Sequence, residues 1–221
     1  MIEISNLKKG YQKKEVISSG NLLIEDDKIT FLMGENGSGK TTLIKCILDM
    51  ESYDGKILFD EKPVKDVRNQ CMVIFDDCPF YTNLTGIKNL LLLSEYQKDK
   101  QTIYNMAEQY LTRDILHTKV KSYSYGQKKK LALALVEILN PNYLFMDEIS
   151  NGLDYETLKF LKERLLLWKK KKNIFLTGHQ FSFYNDLVDE VYLFKNKEIV
   201  HYQNFTDSGS RLEDIYDEKI H

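Results

Sequence analysis

The clearest pattern along the chain is a series of short apolar stretches that alternate with helical patterns. Four of these stretches, at residues 28–34, 71–76, 142–147 and 173–178, are almost entirely apolar and are bounded by turn residues. Apolar runs of this length without polar alternation are typical of strands that are buried on both faces of a parallel sheet. The pattern therefore predicts an α/β fold with a mainly parallel core sheet.

Two segments between these stretches have the three- and four-residue spacing of an amphipathic helix. The first, TTLIKCIL, places Leu43, Ile44 and Ile47 on one face. The second covers residues 155–168, and Asp154 immediately before it is a side-chain type that caps helix N-termini. These segments predict helices that pack their apolar faces against the sheet.

The remaining periodic segments predict a subdivision of the fold. Residues 2–7 and 190–200 alternate more openly between apolar and polar positions, so we expect them in a smaller antiparallel sheet or at a sheet edge. Residues 84–122 contain helical patterns without a strong strand, which indicates a helical insertion of about residues 84–139 in the α/β core. We expect residues 1–221 to form a single domain.

Composition and charge exclude several classes of protein. With 31 basic and 33 acidic side chains, the net charge of −2 gives no global attraction to nucleic acid. The basic run at residues 169–172 lacks interleaved aromatic residues and is typical of a solvated helix end, so no nucleic-acid partner is expected. The three cysteines lack the paired spacing of a zinc site and indicate reduced thiols. The reduced thiols predict a cytoplasmic protein. The longest apolar runs are far shorter than the roughly 20 residues that cross a bilayer, so we expect that the chain does not span a membrane by itself.

The sequence GENGSGKTT, from Gly34 to Thr42, follows a predicted buried strand and precedes a predicted helix. A triphosphate requires several backbone N–H donors on a loop with few β-carbons, followed by the positive end of a helix. The glycines permit such a loop, Lys40 can reach the β- and γ-phosphates, and the Thr41 hydroxyl can hold Mg²⁺. The candidate nucleotide-binding residues of this loop are Gly34, Asn36, Gly37, Ser38, Gly39, Lys40, Thr41 and Thr42.

The sequence YLFMDE predicts a buried strand that ends at two adjacent carboxylates, Asp147 and Glu148. Ligand sites of α/β proteins lie at the carboxyl ends of their strands. Because successive strand residues point in opposite directions, we expect the two carboxylates to have different roles. Asp147 is assigned to the Mg²⁺ shell, and Glu148 is assigned to polarising the water that attacks the γ-phosphate.

The sequence SYSYGQKKKLALALVEIL predicts a turn followed by an amphipathic helix, with Ser124 and Gly126 at the N-terminus of the helix. Such a helix end is a second potential anion site. The chain already has one phosphate loop for its own nucleotide. A second phosphate-binding helix end is therefore explained if it serves a nucleotide that is held by another copy.

The ordered motifs GENGSGKTT, YSYGQ, LFMDE, SNGLD and LTGH resemble those of the ATP-binding subunits of ABC transporters. The resemblance extends from about Ile2 to Val200. It implies ATP and Mg²⁺ as cofactors, and it implies that two subunits enclose two ATP molecules as a homodimer or a heterodimer. It also implies a separately encoded integral-membrane subunit, which would place this chain peripherally at the inner face of the cell membrane.

The resemblance also implies roles for individual residues. Ser124, Gly126 and Gln127 would contact the γ-phosphate of the ATP that is bound to the opposite subunit. The loop 151–154, which ends at Asp154, would cross the dimer interface. His179 would be the switch histidine that senses the γ-phosphate.

Tyr11 matches the aromatic residue on which adenine stacks in this family. A surface tyrosine is the alternative, because the chain contains 14 tyrosines.

Two positions depart from the family pattern. Tyr125 occupies the place of the first signature glycine, although Ser124, Gly126 and the helix end are retained. Asp76 aligns with a glutamine that touches Mg²⁺ in the family, and a carboxylate can also bind Mg²⁺. The acidic residue and the following YTNLTGIKNL resemble bacterial exporters of antimicrobial peptides such as lantibiotics and bacitracin.

These observations favour an ATPase subunit that powers a membrane exporter by ATP-driven closure of a dimer. Hydrolysis through Glu148 would reset the dimer. A non-transport ABC ATPase that acts on a protein or cofactor-assembly complex stays open as the alternative. A P-loop kinase is a third class, against which the YSYGQ motif argues.

Overall fold

One nine-stranded sheet runs through the part of the chain that the computed structural model describes, residues 1–12, 14–95, 97–203 and 205–220. The strand order across the sheet is β4-β1-β2-β9-β8-β3-β7-β6-β5. The strands are β1 Ile2–Tyr11, β2 Lys14–Ile24, β3 Ile29–Gly34, β4 Asp54–Phe59, β5 Cys71–Ile74, β6 Tyr143–Met146, β7 Asn173–Thr177, β8 Glu190–Lys195 and β9 Glu198–Tyr202.

The four predicted core strands are confirmed as β3, β5, β6 and β7. They pair in parallel, with Phe31 opposite Leu176 and Phe145 opposite Phe175 in the register. Every residue of β3, β6 and β7 is buried. Burial on both faces explains why these strands have apolar runs rather than alternating patterns. The predicted α/β fold class is therefore confirmed.

The antiparallel part belongs to the same sheet rather than to a separate one. β1 pairs antiparallel with β2 and β4, and β9 joins β2 in parallel and β8 in antiparallel. Residues 190–200 form the antiparallel pair β8–β9, which is one of the two placements predicted for them. The other, an edge position, does not hold for β8, which also pairs in parallel with β3 and buries residues 191–194. The two-residue turn Asn196-Lys197 has positive φ at both positions, which is typical of a tight hairpin, and it leads the chain into the more exposed β9.

Ten helices are described, and four of them lie between β5 and β6, where the helical insertion was predicted. The assignment of residues 1–221 to a single domain stays a prediction. The helices are α1 Lys40–Ile47, α2 Val64–Val67, α3 Gly86–Leu93, α4 Lys100–Ala107, α5 Arg113–His117, α6 Tyr125–Leu139, α7 Tyr155–Lys169, α8 Phe181–Tyr184, α9 Phe205–Ser208 and α10 Leu212–Lys219. Among the described residues, none of these helices has the length and apolar character that a bilayer span requires.

The helices pack their predicted apolar faces into two clusters of buried residues. α1 buries Leu43, Ile44 and Ile47 in one cluster together with residues of β1, β2 and β4. α7 buries Leu161 and Leu165 in the other, with α6 and the helices of the insertion. This packing fixes α1 and α6 relative to the carboxyl ends of β3, β6 and β7, where α/β ligand sites lie.

Candidate nucleotide-binding and hydrolysis site

The loop between β3 and α1 has the backbone path that the sequence predicts for a phosphate loop. Gly39 caps α1 with a φ of 120°, and a β-carbon at this position would lie 2.7 Å from Val16 Cγ1. Gly37 also has a positive φ, and a β-carbon there would meet no atom within 4 Å. The Gly39 conformation and the close approach of Val16 therefore favour glycine.

The polar groups of this loop fit a bound polyphosphate. Ser38 Oγ is buried and has no hydrogen-bond partner among the described residues. Lys40 is buried, and its Nζ donates to the main-chain oxygens of Gly34 at 2.9 Å and Glu35 at 3.0 Å. Burial lowers the pKa of Lys40, while the nearby Glu148 and Asp147 carboxylates oppose that shift. The loop therefore holds a buried hydroxyl without a hydrogen-bond partner and a lysine cation that is removed from water. A bound anion would give both groups a partner.

Thr41 and Asp147 meet as the sequence predicts for a Mg²⁺ site. Thr41 Oγ1 donates a 2.5 Å hydrogen bond to Asp147 Oδ2. The other carboxylate oxygen, Oδ1, accepts a 2.5 Å hydrogen bond from Thr177 Oγ1 at the end of β7. Mg²⁺ in nucleotide sites takes one or two protein oxygens and completes its shell with phosphate and water. The Thr41–Asp147 oxygen pair fits that requirement.

Glu148 lies beside Asp147 but contacts a different set of groups. Its Oε2 accepts a 2.5 Å hydrogen bond from Asn151 Nδ2, and its Oε1 lies 3.5 Å from His179 Nε2. The separate partners agree with the separate roles expected for the two carboxylates. The expected cause, strand alternation, was wrong, because β6 ends at Met146 and Glu148 has a left-handed backbone with a φ of 53°.

His179 lies between the cationic and the acidic part of the site. Its Nε2 is 3.2 Å from Lys40 Nζ as well as 3.5 Å from Glu148 Oε1. Burial lowers the pKa of His179 below its usual value of 6.5, and the Lys40 charge acts in the same direction. A neutral imidazole can accept a hydrogen bond from Lys40 at Nε2, and the same nitrogen then has no proton to donate to Glu148 Oε1, so His179 bonds to Lys40 and only borders Glu148.

Tyr11 borders a cavity of about 500 Å³ that extends to the phosphate loop. The cavity is also lined by Gly37, Ser38, Gly39 and Thr42. Lys9 Nζ lies 4.4 Å from the centroid of the Tyr11 ring, and Tyr11 is 41% exposed. This position fits the predicted adenine-stacking role.

The remaining phosphate-loop residue, Asn36, is exposed in the loop between β3 and α1.

The N-terminus of α6 lies in a second cavity, of about 300 Å³. Ser124, Gly126, Gln127 and Asp154 line it, together with residues of the helical insertion. Ser124 and Gln127 form a reciprocal cap, since Gln127 N donates to Ser124 Oγ at 3.2 Å and Ser124 N donates to Gln127 Oε1 at 3.0 Å. Asp154 caps α7 by accepting from Thr157 N at 2.8 Å, as predicted from the sequence. The structure thus brings the predicted signature residues and Asp154 to one surface cavity.

Asp76, the third predicted Mg²⁺ ligand, contacts α6. Its Oδ1 accepts hydrogen bonds from the Tyr125 hydroxyl and, at 3.3 Å, from Lys129 Nζ. Oδ2 accepts no hydrogen bond within the described part of the chain. The Mg²⁺ role of Asp76 stays a prediction.

Sequence reasoning missed two residues that hold the site together. Thr177 donates to Asp147, and it also accepts from the amide of Glu148 through Oγ1 at 3.2 Å and through its main-chain oxygen at 3.1 Å. Lys129 is fully buried and pairs with Asp76. A threonine that ends a buried strand beside two carboxylates was the available signal for Thr177. The lysine run at 128–130 hid the buried Lys129.

Comparison with known proteins gives a consistent result. The family model described as "ABC transporter" matches residues 17–151. The lantibiotic transport ATP-binding protein SrtF of Streptococcus pyogenes is 29% identical over all of this chain and 97% of its own length. The methionine import ATP-binding protein MetN of Clostridioides difficile is 30% identical over 90% of this chain and 67% of its own length. The solved dimer of the ATP-binding cassette MJ0796 with ADP and Pi superposes with a TM-score of 0.80 at 20% identity, covering 91% of this chain and 98% of that one.

Proposed function

The chain belongs to the ABC transporter family as an ATP-binding subunit with ATPase activity, and from this premise we propose that it powers a separately encoded membrane-spanning exporter. The proposed mechanism is ATP-driven closure of a dimer, which is reset by hydrolysis. The dimer consists of two copies of this chain or of this chain and a related subunit.

One observation carries the dimer proposal, namely that the two phosphate-binding helix ends lie in different cavities. The cavity at α1 is lined by Tyr11 and the glycine loop, and the cavity at α6 is lined by Ser124, Gly126 and Asp154. The two share no lining residue. Because the catalytic carboxylates lie with α1, we assign the α6 end to the ATP of the opposite subunit. The solved MJ0796 relative is described as a dimer, which supports this arrangement.

The residues at α1 would bind ATP and Mg²⁺. Tyr11 would stack on the adenine, and Lys40 would exchange the main-chain oxygens that it now contacts for the phosphates of ATP. Thr41 and Asp147 would hold Mg²⁺, which supplies neutralisation of phosphate charge when it is bound. Thr177 keeps the Asp147 carboxylate in place on its side away from Thr41.

Hydrolysis is assigned to Glu148 and His179. The Glu148 carboxylate would orient the attacking water and accept its proton, while Asn151 holds Oε2 and leaves Oε1 towards His179. The neutral His179 can sense the γ-phosphate because it already lies 3.2 Å from Lys40 Nζ. Water in this position needs a base, and Glu148 is the carboxylate that does not contact Thr41.

The exporter assignment rests on similarity of motif style and length to a lantibiotic transport protein. SrtF, described as a lantibiotic transport protein, aligns with the whole of this chain, and the acidic Asp76 segment resembles that group. MetN, described as an import protein, is comparably identical but extends beyond the aligned region. We therefore propose export of an antimicrobial peptide as the direction and substrate class, and we expect no nucleic-acid partner.

The test is to recover a tagged Glu148→Gln variant from gently solubilised native membranes with Mg-ATP and to identify its partners by mass spectrometry. A Lys40→Ala variant serves as the nucleotide-free control. A polytopic membrane protein in stoichiometric amount, present with Glu148→Gln and depleted with Lys40→Ala, supports the proposal. If that protein also confers resistance to a peptide antibiotic on cells, export is supported. Recovery of soluble partners alone, without a membrane protein, would overturn the transporter assignment.

A further inference from the structure

Tyr125, at the first turn of α6, connects this helix to two other segments of the site. Its hydroxyl donates a hydrogen bond to Asp76 Oδ1 and lies 3.0 Å from the main-chain oxygen of Asp76. The two residues are 49 positions apart, because Asp76 follows β5 and Tyr125 follows most of the helical insertion. One side chain therefore joins the N-terminus of α6 to the turn that follows β5.

The same contact includes a buried cation. Lys129 lies one turn further along α6 and is fully buried, and its Nζ is 3.3 Å from Asp76 Oδ1 and 5.1 Å from the Tyr125 ring centroid. A buried ammonium group requires a counter-charge, and Asp76 is its only ion-pair partner in the described part of the chain. The Asp76 carboxylate is thereby fixed to α6 through two separate donors.

The Tyr125 ring also contacts the loop that follows Glu148. A β-carbon built at Gly152 would lie 3.1 Å from Tyr125 Cδ1 and 3.2 Å from Cε1. Gly152 has a φ of 65° and belongs to the same loop as Asn151, which holds the Glu148 carboxylate. The ring therefore lies between the α6 end and the loop that positions the proposed catalytic base.

We propose that Tyr125 is a positioning residue which, through Asp76 and Lys129, holds the N-terminus of α6 in the orientation that receives the ATP of the opposite subunit. This inference rests on the proposed function. A glycine at position 125 has no side chain to make the contact. Tyr125 and Asp76, the two departures from the family pattern, are thus two halves of one interaction.

This arrangement is compatible with a Mg²⁺ role for Asp76. Both donors from α6 use Oδ1, and Oδ2 accepts no hydrogen bond from any described residue. The contacts of Tyr125 and Lys129 with Asp76 form a tether between α6 and the turn after β5. If Asp76 also approaches Mg²⁺ in the closed dimer, this tether would connect the metal of one site to the α6 N-terminus that serves the other.

The experiment uses the Glu148→Gln chain as parent and measures its dimerisation with Mg-ATP by sedimentation. Tyr125→Phe removes only the hydroxyl and keeps the ring against Gly152. We expect it to weaken the ATP-dependent dimer by about tenfold and to leave the affinity of the monomer for ATP unchanged. Tyr81→Phe is the matched control, since this tyrosine is 56% exposed and outside the tether. Its dimer should equal that of the parent.

A second background tests whether the hydroxyl acts through Asp76. In a chain that carries Asp76→Ala and Lys129→Met, Tyr125→Phe should have a clearly smaller effect on dimerisation, because the hydroxyl keeps only its bond to the main-chain oxygen of residue 76. An equal loss in both backgrounds would overturn the tether. So would a Tyr125→Phe chain that dimerises like the parent.

Two further results separate the possible failures. If the Glu148→Gln parent does not dimerise with Mg-ATP, the proposed dimer closure and the positioning role of Tyr125 are both overturned. If the parent dimerises, a failed prediction for Tyr125→Phe overturns the tether alone. Should the Asp76→Ala, Lys129→Met chain not fold, amide hydrogen exchange of residues 124–130 in monomeric Tyr125→Phe decides. Faster exchange than in Tyr81→Phe supports the tether, and equal exchange overturns it.

Discussion

Thr177 Oγ1 donates a 2.5 Å hydrogen bond to Asp147 Oδ1, across the pairing of β7 with β6. The opposite oxygen of the same carboxylate faces Thr41. A carboxylate held on both sides keeps one orientation, and preorganised ligands of this kind bind metal ions more tightly than mobile ones. Thr177 therefore supports the proposed Mg²⁺ site by holding the Asp147 carboxylate in place.

Replacing Thr177 by Val should weaken the response of ATP turnover to Mg²⁺. Valine keeps the shape of threonine but removes the hydroxyl that donates to Asp147 and accepts from the Glu148 amide. The lost bond to the Asp147 carboxylate is worth about 1.5–3 kcal/mol, whereas the Glu148 amide keeps its bond to the main-chain oxygen of residue 177. We expect the Mg²⁺ concentration for half-maximal ATPase activity to rise by about tenfold, as measured in a metal titration at saturating ATP.

Thr30→Val is the matched control for this variant. Thr30 is also fully buried in the core sheet, but its Oγ1 has no hydrogen-bond partner among the described residues. Its removal should leave the Mg²⁺ titration unchanged and stability equal or higher. The same Mg²⁺ midpoint in Thr177→Val and Thr30→Val would contradict the assigned role of Thr177.

Glu148→Gln should bind ATP with near-normal affinity and hydrolyse it at least about a hundredfold more slowly. Glutamine has the size of glutamate and cannot accept the proton of the attacking water. Steady-state ATPase assays and nucleotide-binding measurements separate the two effects. Glu163→Gln, in an exposed position on α7, is the control for the loss of one carboxylate. An unchanged turnover rate in Glu148→Gln would remove this residue from the catalytic role.

The core of the fold could be predicted because burial on both faces leaves a direct mark on composition. β3, β6 and β7 are recognisable for this reason, and so is the site at their carboxyl ends. β2 and β4 were not predicted, because their burial is interrupted by exposed and intermediate positions. These strands have no continuous apolar run, and their pairing with β1 is what stabilises them.

Contacts between distant segments could not be predicted from the motifs. The Tyr125–Asp76 bond depends on how the helical insertion packs on the core, and each residue alone reads only as a departure from a pattern. The left-handed backbone of Glu148 is likewise a product of the surrounding structure, since glutamate has no preference for that conformation. Tertiary packing determines these features of the site.

The stability of the wild-type chain should fall more steeply in acid than that of a chain without His179. Burial keeps the folded-state pKa of His179 below its usual value of 6.5, so the unfolded chain binds more protons between the two values. Stability from this residue is complete above about pH 6.5 and is lost as the pH falls towards the folded-state pKa. His179→Gln removes this contribution and should flatten the decline in the melting temperature below pH 6.5.

His117→Gln, on an exposed face of the helical insertion, is the control for removing an imidazole. Thermal melts of the three chains from pH 8 to pH 5 give the comparison. Parallel curves for wild type and His179→Gln would show that His179 titrates alike in the folded and unfolded chain.

Gly178→Ala should destabilise the protein by about 1–3 kcal/mol, because the added methyl group has no room. A β-carbon at Gly178 would lie 2.5 Å from Tyr184 Cε2 and 2.7 Å from the Tyr184 hydroxyl oxygen. Tyr184 cannot move easily, since it is fully buried and its hydroxyl donates to Ser150 Oγ at 3.0 Å.

Gly126→Ala provides the contrast, because the nearest atom to its β-carbon would be Thr157 Oγ1 at 3.7 Å. Alanine is also favoured over glycine in a helix, so Gly126→Ala should unfold at the same or a slightly higher denaturant concentration than wild type. Equal unfolding midpoints for the two variants would mean that Tyr184 moves aside, and that the backbone before His179 is less constrained than its packing indicates.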